Sequence, residues 1–172
     1  ETARAQNFSL NGYQRETNPN LSQLPILNFT KTYSCGTATA ESVPCMFSHF
    51  SKDQYSDTKA KQNENLLDVL KRAGVEVLWR DNNSGCKGVC DRIASEAMEN
   101  LKINDICTTE ECFDMVLLHE LQNFVDHLER DTLIVLHQKG SHGQAYYKRH
   151  PAEFKKLNPA LTIGRYEARL GG

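Results

Sequence analysis

Six cysteines stand in this chain as three close pairs, Cys35/Cys45, Cys86/Cys90 and Cys107/Cys112, ten, four and five residues apart. An even count at short spacing predicts three local disulfides, which persist only in an oxidising compartment. Zinc is the competing reading of the same residues. Structural zinc sites, however, use two close Cys-x2-Cys-type pairs, and these spacings do not match them. At 172 residues the chain suits one domain that can bury a core without staples. The cysteines therefore serve something more local than survival of the fold.

Twenty basic residues against twenty-two acidic ones give a formal charge of -2. No basic stripe tracks a phosphate backbone, which argues against a nucleic-acid partner. No apolar run approaches the roughly 18 residues of a membrane span.

The apolar pattern predicts an α/β layered sheet, parallel through right-handed crossovers. Residues 1 to 34 are polar and punctuated by Asn11-Gly12, Asn18-Pro19 and Leu24-Pro25, so they read as surface loop or short helix. Leu66, Leu67, Leu70 and Ala73 recur at helical spacing, with Gly74 as the C-cap, and Val75 to Trp79 follows as a strand. A long helix is expected from about Glu110 to Glu129, because Phe113, Val116, Leu117, Leu121, Phe124, Val125 and Leu128 form one face. Thr132 to Leu136 is the next strand. Polar loops, Asp81 to Lys87 and His137 to Gly143, follow the two strands and should converge on one crevice, where open α/β sheets bind ligands.

Several motifs fail on inspection. His119-Glu120 opens like a zincin helix, but Asn123 stands where the second ligand histidine is needed. There is neither a Walker loop nor a G-x-G-x-x-G. The run Cys35-Gly36-Thr37-Ala38-Thr39-Ala40-Glu41-Ser42-Val43-Pro44-Cys45 is more informative. If a helix begins near Thr39, its N-terminus would favour a phosphate or sulfate, and a bridge would hold a hydroxyl there. On composition alone, Thr37, Thr39 and Ser42 read better as simple helix caps. Lys87, between Cys86 and Cys90, is equally readable as an anion-binding cation or a solvated lysine. His142 sits among small residues and is the better site histidine. His137 directly follows a buried strand and reads as structural.

These blocks also carry a resemblance. Glu1-Thr2-Ala3-Arg4, Asn11-Gly12-Tyr13, the Cys35 to Ser48 run, Leu78-Trp79-Arg80-Asp81-Asn82-Asn83-Ser84 and Leu136-His137-Gln138 closely resemble the periplasmic catalytic domain of lipid A phosphoethanolamine transferases, the family of the mobile colistin-resistance enzymes. The likeness runs from residue 1 to about Pro159, which leaves 160–172 as a tail outside it. It implies an alkaline-phosphatase or sulfatase-like α/β/α sandwich, carried on an inner-membrane helical domain at the periplasmic face. It implies Thr39 as a nucleophile that is transiently phosphoethanolaminated, zinc as cofactor with Glu1 and Thr39 among its ligands, Asn83 and Lys87 on the substrate head group, and His142 near the transferred phosphoryl group. Phosphatidylethanolamine would be the donor and a lipid A phosphate the acceptor. The added amine would weaken attraction of cationic peptides such as polymyxins.

The family's later Asp-His-Gly-Glu motif is absent from these residues, Gln144 replaces a usual proline, and Glu41 puts a carboxylate where an uncharged residue is usual. The expectation is therefore a partial catalytic domain lacking both ends, monomeric, which by itself transfers nothing. A related metal-dependent phosphatase or transferase with another acceptor, and a remnant without activity, are the alternatives.

Overall fold

The fold is built on a central strand buried almost throughout. In a computed structural model that describes residues 4–140, 142 and 148–152, β1 (Glu76–Asp81) is flanked on one edge by β2 (Ala94–Ala97) and on the other by β3 (Thr132–His137), all parallel. Leu78 lies opposite Ala94 on one side and Ile134 on the other. Alternation of side chains along β1 sends Val77 and Trp79 to one face of the sheet and Leu78 and Arg80 to the other.

Helices α1 (Thr39–Phe47) and α3 (Leu66–Arg72) cover the first face, and α2 (Asp57–Gln62) joins them. There Leu67, Val77, Trp79, Val89 and the Cys86–Cys90 bridge form one buried cluster, with Val43, Phe47, Leu133 and Val135 packed against it. The Phe47 ring meets Trp79 edge-on at 5.7 Å between centroids. On the second face Met98, Cys112, Val116 and Leu117 gather beneath Leu136. Trp79, Leu67, Val116 and Leu117 are each at most 1% exposed, and burying such a side chain stabilises by about 1.5–3 kcal/mol. The sheet is thus apolar on both faces, as a parallel sheet requires.

Local chemistry sets the element ends. The Asn65 side chain accepts the N–H of Leu67 at 2.8 Å and of Asp68 at 3.3 Å, while Asp68 reaches back to the Asn65 N–H, a capping box that starts α3. Gly74, at φ +91°, ends it in a conformation that costs other residues a clash. Polar residues 4–34 hold only the short 3-10 helices Ala5–Asn7, Ser9–Asn11 and Leu21–Gln23.

Three expectations need correcting. The long helix over 110–129 is instead a 3-10 helix, Asp114–Leu118, then α4 (Leu121–Asp126). Glu120 between them has φ +51°, which stops an α-helix, and Arg80 draws off the carbonyls of Leu117 and His119 at 3.1 and 2.7 Å. The strand expected over Val75 to Trp79, β1, runs on to Asp81, two residues past Trp79, and β2 adds an edge strand that was not expected. The boundary near Pro159 lies outside the described residues.

Candidate active site

Both strands adjoining the site end in polar loops, and the two loops are clasped together. The Asn82 N–H donates to His137 O at 3.0 Å, and Asn83 Nδ2 donates to Gln138 O at 3.1 Å. Asp81 organises the first loop: its Oδ1 accepts the N–H groups of Asn83 at 2.8 Å and Gly85 at 3.2 Å, while its Oδ2 lies 3.2 Å from His137 Nδ1. Burial alone would push the Asp81 carboxyl up, but the His137 contact and the two backbone N–H groups outweigh it and hold the group below the usual carboxylate range. Asp81 therefore stays ionised. His137 stacks edge-on against Trp79 at 5.1 Å, which makes it the hydrogen-bonded structural histidine its position implied.

Beyond Asp81 the chain turns tightly. Ser84, Gly85, Lys87 and Gly88 all have positive φ, and the Cys86–Cys90 bridge closes the turn across four residues. Lys87 folds back, its Nζ donating to Ser84 O at 2.5 Å and Ser84 Oγ at 2.9 Å. Asn83 is buried, and one N–H of its side-chain amide goes to Gln138.

Thr39 is the first residue of α1. The Cys35–Cys45 bridge ties the approach to this helix to its far turn. Pro44, inside α1, lacks the N–H that would bond the Ala40 carbonyl, so α1 is held by tertiary packing rather than a full hydrogen-bond ladder. A Cβ on Gly36 would collide with the Glu41 carboxylate, so that carboxylate folds back over the entry to the helix. A concavity of about 490 Å³ opens between α1, α2, the segment leading into α3 and the bridged turn, with Ala40, Pro44, Tyr55, Lys87, Asp91 and Arg92 in its wall. Tyr55 stays protonated there, because burial and its hydrogen bond to Asp57 push the hydroxyl up to about 12. The structure thus brings Lys87 and the residue after Thr39 to one hollow. His142 stands outside its wall, in the β3 loop, where its backbone N–H donates to Lys139 O at 3.2 Å.

Two carboxylates that the sequence did not single out hold that loop. Asp114 accepts the N–H groups of Lys139 and Gly140, and Glu111 pairs with Lys139 and Arg149. Glu111 stands inside the third bridged turn, Cys107–Cys112. No local pattern marks either residue, since their partners lie 25 to 38 positions away.

Zinc does not fit these residues. The family resemblance implied a zinc-dependent enzyme with zinc as cofactor; among the described residues, no three His, Cys, Asp or Glu side chains are grouped so as to hold a metal ion. Donors near the strand ends are otherwise engaged: all six cysteines are bridged, Asp81 and Asp114 are taken by backbone N–H groups, and Glu111 by cations. Glu1, the expected carboxylate ligand, lies outside the described residues. Among the described residues zinc is therefore not assigned.

The sulfatase family profile matches residues 1–169. The chain belongs to the sulfatase family. Within that family the sequence is 50% identical to phosphoethanolamine transferase EptA of Escherichia coli K12 over 97% of this chain and 30% of that protein, and 47% identical to phosphatidylethanolamine transferase Mcr-1 of Escherichia coli over 92% and 31%. The soluble domain of lipooligosaccharide phosphoethanolamine transferase A from Neisseria meningitidis superposes with a TM-score of 0.90 at 41% identity, over 96% of this chain and 51% of that one. This sulfatase-family chain thus spans under a third of its full-length relatives and about half of the solved soluble domain. The resemblance carried by the Cys35, Trp79 and His137 blocks extends across nearly all of it, with the open α/β sheet that the family implies.

Proposed function

We propose that the protein to which this chain contributes transfers phosphoethanolamine from phosphatidylethanolamine to a lipid A phosphate, at the periplasmic face of the bacterial inner membrane. The observation that carries this reading is the placement of Thr39 at the N-terminus of α1, beside a hollow whose wall includes Lys87, in a chain half identical to phosphoethanolamine transferase EptA.

The chain's residues divide the work as follows. The Thr39 hydroxyl oxygen attacks phosphorus, the bond from phosphorus to the glycerol oxygen breaks, and diacylglycerol leaves with the proton that Thr39 gives up. An oxygen of the lipid A phosphate then attacks the same phosphorus, the bond from phosphorus to the Thr39 oxygen breaks, and Thr39 recovers the proton that the attacking phosphate hydroxyl gives up. The first turn of α1 points its positive end at the phosphoryl oxygens. Lys87, anchored by its bridged turn, and His142 offset the charge that builds during displacement, while Asn83 holds the head group. Three disulfides and a phospholipid donor suit the periplasmic side.

Lipid A from cells expressing the complete parent protein, wild type and Thr39→Ala, tests the reading by mass spectrometry. Phosphoethanolamine addition is expected in the first and absent in the second. An unchanged profile in the variant removes Thr39 from the reaction.

A further inference from the structure

Asp114 opens the 3-10 helix Asp114–Leu118, yet the donors it holds lie elsewhere. Its Oδ1 accepts the Lys139 N–H at 2.8 Å and Asn82 Nδ2 at 2.9 Å, and its Oδ2 accepts the Gly140 N–H at 2.7 Å. None of these three donors belongs to its own helix, so capping is not what the side chain does. The Lys139 carbonyl in turn accepts the His142 N–H, and Gly140 takes φ +55° to make that turn. Asp114 therefore grips two successive N–H groups at the base of the His142 turn with both oxygens. Through Asn82 it also grips the residue before Asn83.

We propose that Asp114 is a positioning residue that sets the His142 turn against the Asn83–Lys87 loop. The proposal rests on the reading of Asn83, Lys87 and His142 as the groups that hold phosphoethanolamine. A carboxylate taking two adjacent N–H groups with separate oxygens fixes the peptide plane between them, and charge-assisted bonds of this kind are stronger than neutral ones. A site displaced by an ångström loses much of its grip on a ligand, so an anchor behind the loop governs binding without touching ligand. Glu111 supports the same turn from outside, through the side chain of Lys139 at 3.3 Å. It leaves the backbone to Asp114.

The test is nuclear magnetic resonance on this chain with phosphoethanolamine as the probe. In the wild type, the Lys139 and Gly140 amides should exchange slowly, and the Asn83 side-chain amide and His142 ring should shift together on titration. Asp114→Asn puts an N–H donor where an acceptor is needed. It should release both amides, uncouple the His142 ring response from that of Asn83, and weaken phosphoethanolamine about tenfold, with the near-ultraviolet signal of Trp79 unchanged. Asp114→Glu, which keeps the charge, should recover part of the coupled response. Fast exchange of Lys139 and Gly140 in the wild type overturns the proposal even if the Asn variant does not fold. So does an Asp114→Asn chain whose His142 and Asn83 signals still shift together. A wild-type chain in which neither signal answers phosphoethanolamine contradicts the substrate reading instead; the anchoring still stands if the two amides are protected in the wild type and released in Asp114→Asn, with an altered His142 backbone shift.

Discussion

Asp81 Oδ2 lies 3.2 Å from His137 Nδ1, joining the last residue of β1 to the last residue of β3 where they are also register partners. This contact closes the carboxyl end of the sheet. It leaves the other carboxylate oxygen to shape the loop that carries Asn83 and Lys87.

Acid should undo that closure. The folded-state pKa of Asp81 is lowered, so the stability it contributes is complete above the unfolded carboxylate value near ~3.9 and is lost as pH falls through the lower folded value. Thermal melts of wild type and Asp81→Asn should differ by about 1–3 kcal/mol at pH 7 and converge as the pH falls through the lowered folded-state value of Asp81. A gap that persists unchanged into acid would show that the carboxylate charge is not what matters.

The capping box of α3 should be worth more than an isolated cap. Asn65 also donates through Nδ2 to Val89 O at 2.8 Å, and Asp68 is ion-paired to Arg92, whose hydrogen bond holds its carboxyl below the usual range. Asn65→Ala should cost about 2 kcal/mol in denaturant unfolding, with loosening of the bridged turn visible as faster exchange at Val89 and Cys90. A loss under about 0.5 kcal/mol, the low end for caps, would mean that α3 is held by Leu67 packing alone.

Glu41 should compete with the substrate. Its carboxylate folds over Gly36 in the first turn of α1, where a helix favours negative charge. Glu41→Gln should therefore tighten phosphoethanolamine binding about fivefold in a direct titration. Unchanged or weaker binding would show that the carboxylate lies clear of the phosphate position.

The strands were legible where their residues are apolar on both faces. Val77, Leu78 and Trp79 declare β1, and Thr132 to Leu136 declares β3. By contrast β2 is Ala-Ser-Glu-Ala, exposed along its length, and no apolar pattern can announce an edge of that kind. The expected helix over 110–129 misled because Val116 and Leu117 are adjacent and both buried, which a 3-10 turn allows while keeping an apolar stripe. The loops at the strand ends were readable from residue type. The clasp that Asp81 makes with His137 and the grip of Asp114 on Lys139 and Gly140 were not, because each joins residues that only the fold brings near. Zinc followed from family likeness, and the donors grouped among the described residues did not support it.

The most direct measurement is peptide mass mapping of the complete parent protein after incubation with phosphatidylethanolamine and rapid acid quench. The expected result is a phosphoethanolamine group on the peptide spanning Cys35 to Cys45, localised to Thr39 and absent from Thr39→Ala. Adduct on another residue, or lipid A modification that continues in Thr39→Ala, would contradict the covalent threonine mechanism.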